Sequence, residues 1–233
     1  MNAQGMLEQL LKSGLSMVEG KARAPGAPAG GDAGWGKFGA GAAAGGALGL
    51  LLGSKRGRSF GGKALKLGSV AAIGVMAYKA YESWQAQQAQ QAQAGRPPST
   101  AAAPAEPRTV NLLPAPEVEQ HSRAMLLSMI AAAKADGHLD ERERGLVEAE
   151  LQRIEADPPT RRWFEDEMRR PLDPAEVARA AGTPEMAAEM YLASLLVADD
   201  TSFMERAYLD ELARQLRLPE GLKQQLERQA AAA

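Results

Sequence analysis

The sequence predicts an all-α protein, on three observations. No run alternates apolar and polar residues with a period of two, the pattern of a half-buried strand. Aromatic residues make up 5% of the 233, and Val and Ile are scarce, a poor supply for sheet. In the C-terminal half, by contrast, apolar residues return every three or four positions, and several of these runs open on a recognisable helix cap.

Taken in order, the chain divides into four zones. Residues 1–36 begin "MNAQGMLEQLLKSGLSMVEG", where Leu7, Leu10, Leu11, Gly14 and Val18 fall at helical spacing. This reads as a short amphipathic helix. Glu8, Lys12 and Glu19 break its apolar character, so it is not a secretory signal peptide. The remainder of this zone is rich in Gly, Pro and Ala and is expected to be flexible.

Residues 37–84 carry two apolar segments. Phe38 to Gly53 holds no charge; a second runs from about Ala64 to Tyr81. The first places Gly41, Gly45, Gly49 and Gly53 on one helical face. In water each glycine would cost a helix roughly 1 kcal/mol relative to alanine. In lipid, small residues four apart let two helix backbones approach closely. The second segment answers with Ala64, Gly68 and Ala72, flanked by Gly61 and Gly74. Trp35, Lys37, Tyr78, Lys79, Tyr81 and Trp84 stand at the ends, where interfacial aromatic and snorkelling residues belong. The zone therefore reads as membrane-associated, through a single span or a two-helix hairpin. A full span needs about 20 apolar residues, reached here only if Lys63 and Lys66 or the flanking aromatics are counted. A Gly/Ala-rich linker followed by one anchor is the other reading. Gly39, Gly41 and Gly45 approach a dinucleotide fingerprint, but "GDAGWGKF" before them is no strand, which excludes that site.

Between the segments, Lys55, Arg56, Arg58, Lys63 and Lys66 form a basic cluster with no acid nearby. The positive-inside rule places such a loop in the cytoplasm. Two spans would then put the C-terminal domain outside. A single span at Phe38–Gly53 leaves it cytoplasmic, which is the topology expected here.

Residues 85–116 open as a Gln/Ala tract that can prolong the preceding helix. They continue as a Pro-rich linker unable to bury a core.

Residues 117–233 are expected to form a compact domain of about six or seven helices. Asp140 with Glu143, and Asp173 with Glu176, have capping-box spacing. Thr160 and Thr183 read as N-caps, the latter followed by Pro184 at the first helical position. Core stripes are Met125, Met129 and Ala132; Val147, Leu151 and Ile154; Met186, Met190, Tyr191 and Leu195; and Tyr208, Leu212 and Leu216. Met168 and Met204 also read as core fillers, and Trp163-Phe164 as packing residues. Residues 1–116 carry 12 Lys/Arg against 5 Asp/Glu, and residues 117–233 carry 15 against 24. The basic half suits an anionic surface. The domain, at −9, would repel nucleic acid.

Within this domain "LSMIAAAKADGHLDERERGLVEAELQRI" and "LASLLVADDTSFMERAYLDELARQLRL" share a plan: apolar helix, Ala-Asp, short turn, and a Glu early in the next helix. "KADGHLDERE" followed by "VADDTSFMER" resembles the TerB-like superfamily, named for tellurite resistance. With the Gly-rich segment and Pro-rich linker it resembles the YebE-type branch of bacterial inner-membrane proteins, which has no assigned activity. The resemblance implies an all-helical fold of two pseudo-repeated halves. It also implies a metal site built from Asp136, Asp140 and Glu143 of the first half and Asp199 and Glu205 of the second. The second half departs from the first in reading Asp-Asp where the first has Asp-Gly.

Several carboxylates together would suit a hard divalent cation, although "DGHLDERE" lacks the EF-hand spacing. Helix capping accounts for the same acids without a metal. His121 and His138 are the only histidines; His138 reads as an exposed turn residue, with no second soft ligand at metal spacing. There is no cysteine, and no nucleophile motif is recognisable. The expected function is a non-enzymatic, membrane-associated adaptor tied to envelope or metal stress. Its acidic domain would bind a partner or divalent cation, and self-association would run through the glycine-faced helices. The alternative is a hydrolase using a divalent metal.

Overall fold

The computed structural model describes residues 2–9, 11, 70–93, 107–135, 157–198 and 202–232. All regular structure among them is helical, as expected. Helix α1 covers residues 3–9 and includes residue 11. It is followed by α2 (Val70–Gln93), a 3-10 turn (Val110–Leu112), α3 (Ala115–Ala133) and α4 (Pro158–Arg169). Then come α5 (Pro174–Ala178), α6 (Pro184–Val197), α7 (Phe203–Gln215) and α8 (Glu220–Ala232).

Helix α6 is the centre of the packing. Its sequence "PEMAAEMYLASLLV" is apolar around nearly its whole circumference, which only a helix covered on all sides tolerates. It is covered by α3, α2, α8 and α7. Thr183 accepts from the Met186 backbone N–H and Pro184 occupies the first turn, so this start is the one the sequence predicts. Helices α3 and α6 meet at two serines. Ser128 Oγ lies 2.8 Å from Met125 O and 2.9 Å from Met190 O, and Ser194 Oγ lies 3.2 Å from Ser128 O. Small side chains that satisfy themselves on backbone carbonyls let the two helices approach closely.

The predicted stripes face inward where they are described. Met125, Met129 and Ala132 are buried, as are Met186, Met190, Tyr191 and Leu195, and Tyr208, Leu212 and Leu216. Phe164 is buried and Trp163 packs beside it, with the Arg123 guanidinium 4.7 Å from the Trp163 ring centre. Val147, Leu151 and Ile154 lie outside the described residues.

Three expectations are corrected. Thr160 does not cap α4. Asp157 does, accepting the Thr160 N–H at 2.8 Å with Pro158 in the first turn. Asp173 does cap α5, through the Ala175 N–H, but Glu176 pairs with Arg179. Met204 is no core filler: it is 58% exposed, beside Phe203 at 74%.

Helix α2 carries the largest difference. Its N-terminal half belongs to the second apolar segment, and its C-terminal half is the Gln/Ala tract, so the tract does prolong the helix. That apolar half lies within the protein core. Val70, Ile73, Met76, Ala77 and Ala80 are buried, and α2 packs on α8, α6 and the 3-10 turn. Tyr81 and Trp84, read above as interfacial aromatics, pack against the same core, their rings edge to face at 5.3 Å. Gly74 shows what a small residue does here. A Cβ built on it would fall 2.6 Å from Asn111 Oδ1 and 2.8 Å from the Asn111 backbone nitrogen. The close approach is thus between α2 and the turn. Among the described residues no helix is long and apolar enough to cross a membrane. Gly41, Gly45, Gly49, Gly53 and Gly68 lie outside the described residues.

Candidate functional site

Of the five acids that the sequence brings forward, Glu205 is described; Asp136, Asp140, Glu143 and Asp199 lie outside the described residues, as does His138. Glu205 stands in the first turn of α7, whose N-cap Ser202 accepts the Glu205 backbone N–H. Its side chain is buried, on the same face as Tyr208, Leu209 and Leu212. Residues 203 and 204 therefore point the other way, and the start of α7 presents a phenylalanine and a methionine to solvent. Among the described residues no group of three or more His, Asp or Glu is arranged to hold a metal.

A second polar constellation is one the sequence reading did not single out. Glu189, in the middle of α6, is fully buried. Its carboxylate accepts the Val110 backbone N–H at 2.5 Å through one oxygen and meets Nδ1 of His121 with the other. His121, on α3, is buried as well. One carboxylate thereby fastens the 3-10 turn and α3 to α6. A buried carboxylate without such partners would be prohibitively costly, so the three groups stand or fall together. The signal was present: Glu189 is the one charged residue between Met186 and Val197, in a stretch otherwise built for burial. The arrangement holds the histidine in place through its Nδ1 and makes it a structural clasp.

Around this clasp the polar groups tie elements together. Tyr191 OH donates to Glu227 at 2.9 Å, and burial, helped by that carboxylate, raises the phenol well above its ordinary range. Lys223 bridges Asp210 at 2.9 Å and Glu227 at 3.4 Å, joining α7 to α8. Lys134 donates to the carbonyl oxygens of Glu167 (2.9 Å) and Arg170, which closes the C-terminus of α4. Tyr208 OH and Ser122 Oγ are buried with no hydrogen-bond partner among the described residues. Burial likewise raises the Tyr208 phenol.

The comparison with known families now bears on this arrangement. Residues 37–230 match a family model described as "Protein of unknown function (DUF533)". The chain belongs to the DUF533 family. The match begins at Lys37, just before the first apolar segment, and runs into the last turn of α8, so it takes in the glycine row, the linker and nearly all of the helical domain. DUF533 is grouped with the TerB-like proteins, in line with the resemblance carried by the acidic repeat. A curated relative, "Uncharacterized protein in ampR 5'region" of Yersinia enterocolitica, is 30% identical over 110 residues, which is 47% of this chain and 79% of the relative. No solved structure matches.

Proposed function

We propose that this DUF533 chain is a membrane-tethered, non-enzymatic adaptor that receives a protein partner at the start of α7. The observation that carries this reading is the exposure of Phe203 and Met204, 74% and 58%, in a helix whose inner face is otherwise well buried. Large apolar side chains side by side at a helix start supply the kind of anchor on which protein interfaces concentrate their energy. The domain's charge of −9 favours a partner with a basic rim. The tether is the uncharged segment Phe38–Gly53. Because α1 lies in one core with α2, α3 and α6, the segment is read as entering the membrane without a net crossing, and the basic cluster from Lys55 to Lys66 supports a domain on the cytoplasmic face of a bacterial inner membrane. The domain's two pseudo-repeated halves are supported by α3 and α6: these are the leading helices of the two similar stretches, and they pack against each other through Ser128 and Ser194. The acids Asp136, Asp140, Glu143, Asp199 and Glu205 are by their chemistry suited to a divalent cation.

The test places a photocrosslinking amino acid at position 203 of the membrane-bound full chain, with position 112 as control, since Leu112 is also exposed, at 57%. The expected result is one discrete adduct from position 203, none from 112, and loss of the adduct on Met204→Ser. A C-terminal reporter active only in the cytoplasm is expected to report activity. Equal crosslinking at both positions would overturn the docking site, and a reporter active only in the periplasm would overturn the topology.

A further inference from the structure

Helix α1 enters the core from a distance. Ala3, Met6, Leu7 and Leu11 are buried, Met6 and Leu7 completely, as part of the single cluster that holds α3, α6 and α2. Its first turn is received by another element. The backbone N–H groups of Ala3 and Gln4 donate to the two oxygens of Glu119 on α3, at 2.7 and 3.0 Å, while Asn2 Oδ1 takes the Gly5 N–H at 3.1 Å. A carboxylate that accepts two adjacent N–H groups at a helix start satisfies both orphan donors and meets the positive end of the helix dipole. Receptor surface and ligand helix are therefore matched in apolar pattern and at the terminus.

Two further facts bear on how firmly α1 is held. A helix this short is not stable alone in water, so α1 is helical because it is docked. Its covalent connection to α2 runs through residues 12–69, which lie outside the described residues, so the observed hold on α1 is its docking on the core and on Glu119. We propose that the surface beside Glu119 is a helix-binding groove and that α1 is its exchangeable ligand. The groove takes a short amphipathic helix with small or long apolar residues, none branched at Cβ, at the spacing of Ala3, Met6, Leu7 and Leu11, and with two backbone N–H groups of its first turn free to meet Glu119. Covalent attachment keeps the site filled in the intact chain, and releasing α1 opens a recognition surface on the domain. This inference is independent of the partner site at Phe203.

The experiment uses the full chain with a specific protease site replacing residues 26–31, and as probe a peptide of residues 2–12 labelled at its C-terminus with fluorescein. Before cutting, the probe is expected to bind weakly, because the tethered helix competes. After cutting and gel filtration the N-terminal fragment is expected to separate from a remainder that still melts cooperatively. The probe should then bind at least tenfold more tightly than to the uncut chain. Glu119→Ala in the cut chain is expected to weaken the probe at least tenfold, and Leu7→Asp in the probe to abolish binding. Should Glu119→Ala fail to fold, the probe variant decides specificity by itself. A fragment that never leaves the cut chain, a remainder that loses its cooperative transition, or a probe indifferent to both substitutions would overturn the proposal and make α1 a fixed part of the core.

Discussion

Glu189 concentrates much of what specifies the arrangement of α3, α6 and the turn before α3. Removing its carboxylate leaves the Val110 N–H and His121 without their partner in a closed interior. Glu189→Ala is expected to destabilise the chain by about 3–5 kcal/mol, read from urea denaturation. Glu189→Gln keeps an acceptor for Val110 and should cost less than half of that. Gly74 gives a prediction of opposite sign to the usual rule. In an exposed helix interior Gly→Ala gains about 1 kcal/mol. Here the methyl group would meet the Asn111 backbone at 2.8 Å, and Gly74→Ala is expected to destabilise by roughly 1–3 kcal/mol. A melting temperature that rises in Gly74→Ala would show that α2 and the turn do not pack as described.

At the scale of elements, most of what could be read from sequence was local. The Thr183 and Asp173 caps, the stripes of α3, α6 and α7, and the extension of α2 by its Gln/Ala tract all follow from spacing and side-chain chemistry within one helix. What could not be read was which elements meet. Ala72, Gly74 and Ala77 look alike on a lipid-facing helix and on one pressed against a turn, because both settings require small residues where backbones approach. Thr160 and Asp157 are both good caps, and the choice fell to the one that places Pro158 in the first turn. Glu189 could have been found from its isolation among apolar neighbours, but its partners lie some 70–80 residues away. Asp157 also gives a pH dependence. The Thr160 N–H bond holds its carboxyl below the ordinary range, so its capping contribution is complete above about pH 4 and is lost as the pH falls through the lowered value. Asp157→Ala is expected to cost about 0.5–2 kcal/mol at pH 7 and progressively less in acid. Thermal melts of both proteins between pH 7 and pH 2 should therefore converge.

For the molecule as a whole, the hydrolase reading requires a bound divalent cation, whereas the adaptor stands with or without one. A divalent ion at 100 times its dissociation constant stabilises the folded state by about 2.7 kcal/mol, or roughly 5–11 °C in melting temperature for a chain of this size. If the acids of the two halves converge, millimolar Ca²⁺, Mg²⁺, Mn²⁺ or Zn²⁺ is expected to raise the melting temperature of the whole chain over its value in EDTA. The Asp136→Asn/Asp199→Asn double mutant is expected to lose that increase. A wild-type response no greater than ionic strength explains would leave the carboxylates as helix caps and the adaptor without a cation.

The docking of α2 on α8 also sets an order of events during synthesis. Val70 leaves the ribosome 150 residues before Glu220, roughly 8–30 s earlier at about 5–20 residues per second. Throughout that interval Ile73, Met76, Ala77 and Ala80 lack one of the surfaces that will cover them. A nascent chain therefore carries an apolar helix face that stays partly uncovered until the last helix is made. The arrival of α8 closes it, so the C-terminal helix sets when the core is completed as well as how it packs.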